Sequence, residues 1–197
     1  SQTTPAPHNG SQSVLPAGTM LTDNRTNAVY MVTEPGISVA YAKNLNMKAT
    51  AITIPSSVTI ENVTYKVTSI GNNAFKNNKR LLSVTLPKSV TGIGENAFYG
   101  CFSLESIRVG ENVEMVAEGA VPESTLLILP DNTRKLQGWL YDFIYKRFEF
   151  MLQDSKNIGL AGYAIYHLAD DLLKDKVTPD DNKAFYWYLK GHILADS

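Results

Sequence analysis

The sequence predicts an α+β chain in which a short solenoid is preceded by β-strands and followed by helices. Three observations lead to this fold class. A pattern at residues 67–75 returns 23 residues later at 90–98 and again, less closely, at 113–121. β-rich runs precede these repeats, and apolar residues at helical spacing follow them. A period of about 20–29 residues is typical of a solenoid, in which each repeat buries its apolar face against its neighbours.

Two segments come before the repeats. Residues 1–17 are predicted to be a polar linker, because they are rich in Ser, Thr, Gln and Pro and too poor in apolar residues to fold alone. The absence of an initiator Met is typical of a processed or trimmed N-terminus, which would suit a secreted or surface-anchored protein. Residues 18–47 are predicted to form a β-hairpin cap, because strand-like runs at 28–32 and 37–41 flank a turn signal, Glu34-Pro35-Gly36.

Residues 48–130 are predicted to be a solenoid of about three 23-residue repeats. An excess of nine residues after the first strand predicts an inserted hairpin between Val58 and Val67, and the third repeat is about three residues short. Four short strands are expected, near residues 51–55, 82–87, 105–110 and 126–130.

The apolar residues of one repeat define its expected interior. Gly71 and Gly94 are expected to adopt backbone angles that other residues resist. Cys101 is expected to be a small buried hydrophobe, with a reactive thiol as the alternative. The side chains predicted to point inward are Ile70, Ala74, Phe75, Leu81, Val84, Leu86 and Val90.

Residues 131–197 are predicted to be a helical segment. Apolar residues from Leu136 to Met151 fall on one helical face, and a second helix is expected at about 158–174. A third is expected to begin at Thr178-Pro179, where Thr suits the N-cap and Pro the first helical position. These helices would either cap the end of the repeats or form a separate interaction module.

The repeat between Val90 and Asn112 carries a family resemblance. It reads Val-Thr-Gly-Ile-Gly, then Ala-Phe, then Cys101, then Leu-x-x-Ile-x-Val. This pattern resembles the BspA-like leucine-rich repeat over roughly residues 48–130, although Asn78 and Val121 depart from it in the flanking copies. The resemblance implies a right-handed solenoid on a secreted or cell-surface protein of host-associated bacteria or protists. Adhesion and protein binding without catalysis are the roles it implies.

The C-terminal segment has a second resemblance. Ala164-x-x-x-Leu168, followed by Val177 and by Lys-Ala-Phe-x-Trp-Tyr-x-Lys at 183–190, is similar to one Sel-one-like repeat, a relative of the tetratricopeptide helix pair. The Gly-x-Gly usual before the Val is absent. This resemblance implies a helical scaffold or interaction module.

The candidate binding residues lie on the predicted solenoid strands, where side chains alternate between the core and the surface. Exposed strand faces of such arrays bind partners, and the alternative is an ordinary solvated face. Glu111 and Lys88 flank the set. The candidates are Thr53, Thr85, Arg108 and Ile128 in one row, Ser83 and Ser106 in the next, and Glu105 beside them.

These observations favour a non-catalytic, adhesin-like module that is secreted or at the cell surface and binds a protein, such as a host extracellular protein. A periplasmic location is the alternative. A spacer module of an envelope assembly is the second hypothesis. A carbohydrate-binding surface protein, using aromatic residues such as Trp139 and Trp187, is the third. The oligomeric state stays open.

Other function classes find little support in the sequence. A net charge of -1 gives no bulk attraction for nucleic acid, and no apolar run is long enough to span a bilayer. His167 and His192 lack metal-ligand spacing, and no phosphate loop or nucleophile motif is present. We therefore expect no cofactor, no metal and no enzymatic activity.

Overall fold

The structure is a computed structural model that describes residues 14–130. Within this range every regular element is a β-strand. The predicted helical segment at 131–197, the Sel-one-like resemblance within it and most of the predicted linker at 1–17 lie outside the described residues.

The described residues form eleven strands in two sheets. In chain order they are β1 (Met20–Asp23), β2 (Ala28–Glu34), β3 (Ser38–Asn44), β4 (Ala51–Thr53), β5 (Ser57–Ile60), β6 (Val63–Ile70), β7 (Ser83–Thr85), β8 (Gly92–Ile93), β9 (Ser106–Arg108), β10 (Met115–Val116) and β11 (Leu126–Ile128).

The four-stranded sheet has the order β11-β9-β7-β4, and all its neighbours are parallel. Its strands lie where the repeat pattern predicted four short strands, each trimmed to three residues. Successive strands are joined through the seven-stranded sheet, so each repeat makes one complete turn of a coil. This is the solenoid topology expected from the 23-residue period.

The seven-stranded sheet begins with an antiparallel meander, β1-β2-β3, and continues with β6, β8 and β10 in parallel. The predicted hairpin is present as β2 and β3, with Gly36 in its turn at a φ of 69°. β1 is an additional strand that the sequence reasoning missed. The predicted insertion is also a hairpin, β5–β6, whose turn residues Glu61 and Asn62 both have positive φ, as a two-residue type I′ turn requires.

The core lies between the two sheets, and all seven side chains predicted to point inward are buried. Four buried rings run through it in a row, which we call the aromatic spine: Tyr30, Tyr41, Phe75 and Phe98. Tyr30 meets Tyr41 edge-on at 5.4 Å, and Phe75 stacks on Tyr41 at 5.2 Å and on Phe98 at 4.9 Å. The spine ends in the third repeat, where Val121 takes the place of the ring.

The expectation for Gly71 and Gly94 was wrong, because neither has a positive φ. Close packing explains both glycines instead. A Cβ on Gly94 would lie 2.7 Å from the backbone nitrogen of Asn72, and one on Gly71 would lie 3.3 Å from the backbone of Ala42. The repeats therefore approach each other closely at this corner, with no room for a side chain.

The left-handed positions of the repeat lie elsewhere. Asn73, Asn96 and Gly119 occupy equivalent places and have φ values of 62°, 53° and 69°. Asn77 and Gly100 form a second such pair, at 63° and 76°. Asn and Gly tolerate this region better than other residues, so either can hold the turn.

Candidate functional site

The four-stranded sheet brings the candidate residues into the predicted rows. Thr53 is in register with Thr85, Thr85 with Arg108, and Arg108 with Ile128. Ser83 and Ser106 are likewise paired in the neighbouring row. We call these residues, together with Glu105, the strand ladder.

The alternation of the strands explains why the strand ladder faces away from the core. Ile52, Val84, Ile107 and Leu127 stand in register between the two rows, and the last three of them are buried. Because successive side chains point to opposite faces, the residues on either side of them face outward. Thr53 and Arg108 are exposed, whereas Thr85, Ile128, Ser83 and Ser106 are half-buried between their neighbours.

Glu105 is positioned by the backbone just before β9. Its N–H donates to the carbonyl of Leu82 at 2.8 Å, and its own carbonyl accepts from the N–H of Leu126 at 2.8 Å. These bonds fix the backbone that carries an exposed carboxylate three residues before Arg108. The strand ladder thus presents hydroxyls, one guanidinium and one carboxylate on a rigid support.

The flanking pair lies beyond the other end of the strands. Lys88 Nζ approaches Glu111 Oε1 at 3.9 Å, with the lysine side chain 83% exposed. An exposed pair at this distance contributes little to stability. Asn112 Nδ2 donates to the Lys88 carbonyl at 2.8 Å, which ties the turns of adjacent repeats together. In residues 14–130, Arg108 belongs to no ion pair, so its charge is available to a partner.

Cys101 is buried, as expected, and its thiol donates to the carbonyl of Phe75 at 3.0 Å. Burial raises the pKa of the thiol to about 11, against a smaller lowering by a backbone hydrogen bond from Asn78. A thiol that is buried and protonated at neutral pH is a poor nucleophile. The structural interpretation of Cys101 is therefore favoured over the reactive one.

A buried polar pair in the core was not predicted from the sequence. Asn44 Nδ2 donates to Asn78 Oδ1 at 2.6 Å, and both side chains are buried. Asn78 stands where the next repeat has Cys101, so the polar pair joins the cap to the first repeat. The departure of Asn78 from the repeat pattern was the available signal.

The sequence reasoning also missed an exposed aromatic pair. Tyr99 and Phe102 are 57% and 82% exposed, and one repeat earlier their places are held by Lys76 and Lys79. Aromatic residues at positions that are charged in the neighbouring copy were the signal for an unusual surface.

Residues 14–130 hold no cluster of three or more His, Cys, Asp or Glu side chains that could bind a metal ion. The same stretch also lacks any helix with the length and apolarity needed to cross a membrane.

Solved structures resemble the chain at low identity. A leucine rich cell surface protein from Faecalibacterium prausnitzii is 23% identical, with a TM-score of 0.43, over 57% of this chain and 43% of that one. A leucine-rich repeat protein from Bacteroides capillosus is 23% identical, with a TM-score of 0.44, over 56% of this chain and 98% of that one. A leucine rich repeat protein from T. pallidum is 24% identical, with a TM-score of 0.43, over 57% and 55%. The chain thus spans less than half the length of the first of these proteins.

The sequence was also compared with curated proteins and with protein families. No curated protein matches the chain. Residues 45–136 match the BspA type leucine rich repeat region in six copies. The Sel-one-like resemblance gains no support. The repeats of this chain are therefore similar to the BspA type leucine rich repeat region from residue 45 to residue 136, which is just under half of the chain.

Proposed function

We propose that the chain is a non-catalytic, adhesin-like module of a secreted or cell-surface protein, and that it binds a protein partner through the strand ladder. One observation carries the proposal: four parallel strands hold Thr53, Thr85, Arg108 and Ile128 in one continuous register outside the core.

The dimensions of the strand ladder limit how it can bind. Strands lie about 4.8 Å apart, so a row across four strands spans about 14 Å. A standard interface buries about 800 Å² on each partner, which is more than two such rows provide. A partner would therefore also contact the flanking turns, and a few central residues would supply most of the affinity.

Arg108 is the strongest candidate for such a central residue. It is exposed at the middle of the sheet, between Thr85 and Ile128, and its guanidinium can make paired hydrogen bonds to a carboxylate. Arginine is enriched among the residues that dominate protein interfaces. The neighbouring hydroxyls can accept and donate hydrogen bonds around it.

The proposed location and partner class rest on the repeat family. Residues 45–136 match the BspA type leucine rich repeat region, and the resemblance to that family implies a surface protein that acts in adhesion and protein binding. A host extracellular protein is the proposed partner, and a function outside catalysis follows from the same resemblance.

The test is a binding survey of the whole chain. The purified protein would be passed over immobilised extracellular-matrix proteins, serum proteins and glycans, and each saturable hit would be repeated with Arg108→Ala. Arg25→Ala is the matched control, because Arg25 is an exposed arginine in the loop after β1, away from the four-stranded sheet. We expect a protein hit whose affinity falls about tenfold or more with Arg108→Ala and is unchanged with Arg25→Ala.

Other outcomes would point away from the proposal. If a protein binds the Arg108→Ala variant as tightly as the parent, the strand ladder is not the binding surface. A glycan hit alone would favour a carbohydrate-binding surface protein. A blank across the panel would favour a spacer module in an envelope assembly.

A further inference from the structure

A second surface lies on the segments that connect the seven-stranded sheet to the four-stranded sheet. It consists of Lys76, Lys79 and Arg80 from the first repeat and Tyr99 and Phe102 from the second, and we call it the basic-aromatic patch. All five residues are exposed. None of them belongs to the strand ladder.

Exposure of the two rings is unusual among the aromatic residues of the described range. Phe102 is 82% exposed, the highest value among the exposed large hydrophobic residues of the described range, and Tyr99 is 57% exposed. The other Phe residues of the repeats, Phe75 and Phe98, are completely buried. An apolar ring that the fold does not use in its core is available for a partner.

Backbone hydrogen bonds place the cations beside the rings. The N–H of Asn77 donates to the carbonyl of Tyr99 at 2.7 Å, and the N–H of Glu105 donates to the carbonyl of Leu82 at 2.8 Å. The segments joined by these two bonds are residues 77–82 and residues 99–105. Lys79 and Phe102 hold equivalent places in these neighbouring segments, 23 positions apart.

A direct contact confirms this arrangement at one end. The Lys76 ammonium lies over the Tyr99 ring, 5.8 Å from its centroid. A cation at this distance is attracted to the face of the ring. Lys76 thus shows that the basic and aromatic parts form one continuous surface.

The repeat beyond the patch has a shorter connecting segment. Ser106 follows Ala97 by nine positions in the second repeat, but the equivalent residue, Leu126, follows Ala120 by only six positions in the third. Phe102, which is 82% exposed, therefore lies next to a repeat that is three residues shorter than its own.

We infer that the basic-aromatic patch binds an acidic polypeptide segment that carries apolar side chains. The patch has three positive charges and no negative one, and Glu105 and Glu123 follow it along the chain. Charge complementarity therefore selects an acidic partner. The exposed rings offer contact area to apolar side chains, and Tyr and Arg are typical of residues that dominate protein interfaces.

A polypeptide fits better than a nucleic acid or an anionic glycan. Three cations are few for a polyanion, because binding to nucleic acid depends on many phosphate contacts. Leu82 adds a further side chain, 39% exposed, next to the cations. An apolar neighbour of this kind favours a partner with hydrophobic side chains of its own.

The test uses the full chain and short fluorescein-labelled peptides followed by fluorescence anisotropy. One peptide alternates Glu with Leu and Phe, and its matched control has Lys in place of Glu. Heparin and duplex DNA serve as competing polyanions. The protein variants are K79E/R80E and F102S, compared with two controls on the other sheet, K66E and M115S, which also change an exposed cation and an exposed apolar residue.

We expect saturable binding of the acidic peptide and none of the basic one. K79E/R80E and F102S should each weaken binding about tenfold or more, whereas K66E and M115S should leave it unchanged. The effect of K79E/R80E should shrink at high ionic strength, because salt screens exposed charges. The effect of F102S should persist there, because apolar contact is not screened.

Three results would overturn the inference. One is the absence of saturable binding to the acidic peptide. Another is binding that heparin or DNA displaces and that F102S does not alter, since this would be attraction to any polyanion. The third concerns this chain itself: photo-crosslinking from Phe102→p-benzoylphenylalanine into residues 131–197, found by mass spectrometry, would show that the patch is already occupied. Because Arg108→Ala tests the strand ladder and these variants do not touch it, either proposal can fail without the other.

Discussion

Replacement of Phe98 by alanine removes a ring from the aromatic spine. Phe98 is completely buried and stacks on Phe75 at 4.9 Å with their planes 9° apart. Its backbone N–H donates to the carbonyl of Ala120 at 2.9 Å, so the same residue also joins the second repeat to the third. Loss of the side chain should therefore weaken the packing of the second repeat on the first, whereas alanine retains the backbone hydrogen bond to the third.

The expected loss is large for a chain of this size. Truncation of a buried Phe to Ala costs about 3–5 kcal/mol, from lost burial and the cavity left behind. The lost ring pair with Phe75 accounts for about 0.5–1.5 kcal/mol of this cost. Total stabilities are about 5–15 kcal/mol, so the substitution removes a substantial part.

The assay is urea unfolding followed by far-ultraviolet circular dichroism. Tryptophan fluorescence would not report on the substituted repeat directly, because both tryptophans, Trp139 and Trp187, lie after the repeats in the sequence. With an m-value of about 2 kcal/mol/M, a loss of about 4 kcal/mol lowers the urea midpoint by about 2 M. Hydrogen exchange at the amide of Phe75, which donates to Ala97, should accelerate in parallel.

Phe102→Ala is the matched control. It removes the same side chain from the same repeat, but from a position that is 82% exposed, so its effect should stay within about 0.5 kcal/mol. Equal midpoints for the two variants, or a Phe98→Ala protein as stable as the parent, would refute the conclusion that stacking in the aromatic spine stabilises the repeats.

Three further predictions concern the same repeats. Burial raises the pKa of the Cys101 thiol from 9.0 to about 11, so the contribution of the protonated thiol to stability should be intact below about pH 9 and be lost between about pH 9 and 11. The stability of Cys101→Ala, measured by unfolding across this pH range, should not show that loss. Rapid iodoacetamide labelling of the native thiol at about pH 8 would contradict the raised pKa. Gly94→Ala should destabilise by about 1–3 kcal/mol, because its Cβ would lie 2.7 Å from the nitrogen of Asn72; an unchanged melting temperature would show that the corner can relax. Asn78→Ala should lower the free energy of unfolding by about 1–3 kcal/mol, since it leaves the buried Asn44 amide without its 2.6 Å acceptor. A smaller loss of stability in the Asn44→Ala/Asn78→Ala double variant than in Asn78→Ala would support this cause, and a larger loss in the double variant would contradict it.

The strand register was predictable because it depends on spacing alone. Thr85 and Arg108 are 23 residues apart, and each follows a buried residue, Val84 or Ile107, in the same short motif. A shift of the register by one residue would put polar side chains into the core, so the burial pattern determines which residues of each strand face outward. Whether the strand ladder binds a partner remains a prediction, because register places the side chains without identifying what they contact.

The conformation of the turns was not predictable from glycine positions. Asn73, Asn96 and Gly119 adopt the same left-handed conformation, so one structural requirement is spread over two residue types. Gly71 and Gly94 meet a different requirement, the close approach of neighbouring chain segments. That approach depends on tertiary packing and leaves no local signature in the sequence.

Two departures of the third repeat have a common physical consequence. At the place of Phe98 the third copy has Val121, which fills less of the core, and its connecting segment is three residues shorter. A shorter segment crosses a smaller side chain without leaving a void, which is consistent with the complete burial of Phe98 beneath it. We predict that the same shortening leaves Phe102 exposed at the border with the third repeat. Insertion of three residues after Val121 should then lower the exposure of Phe102 and weaken the acidic-peptide binding proposed for the patch, and unchanged binding would contradict this link between repeat length and the patch.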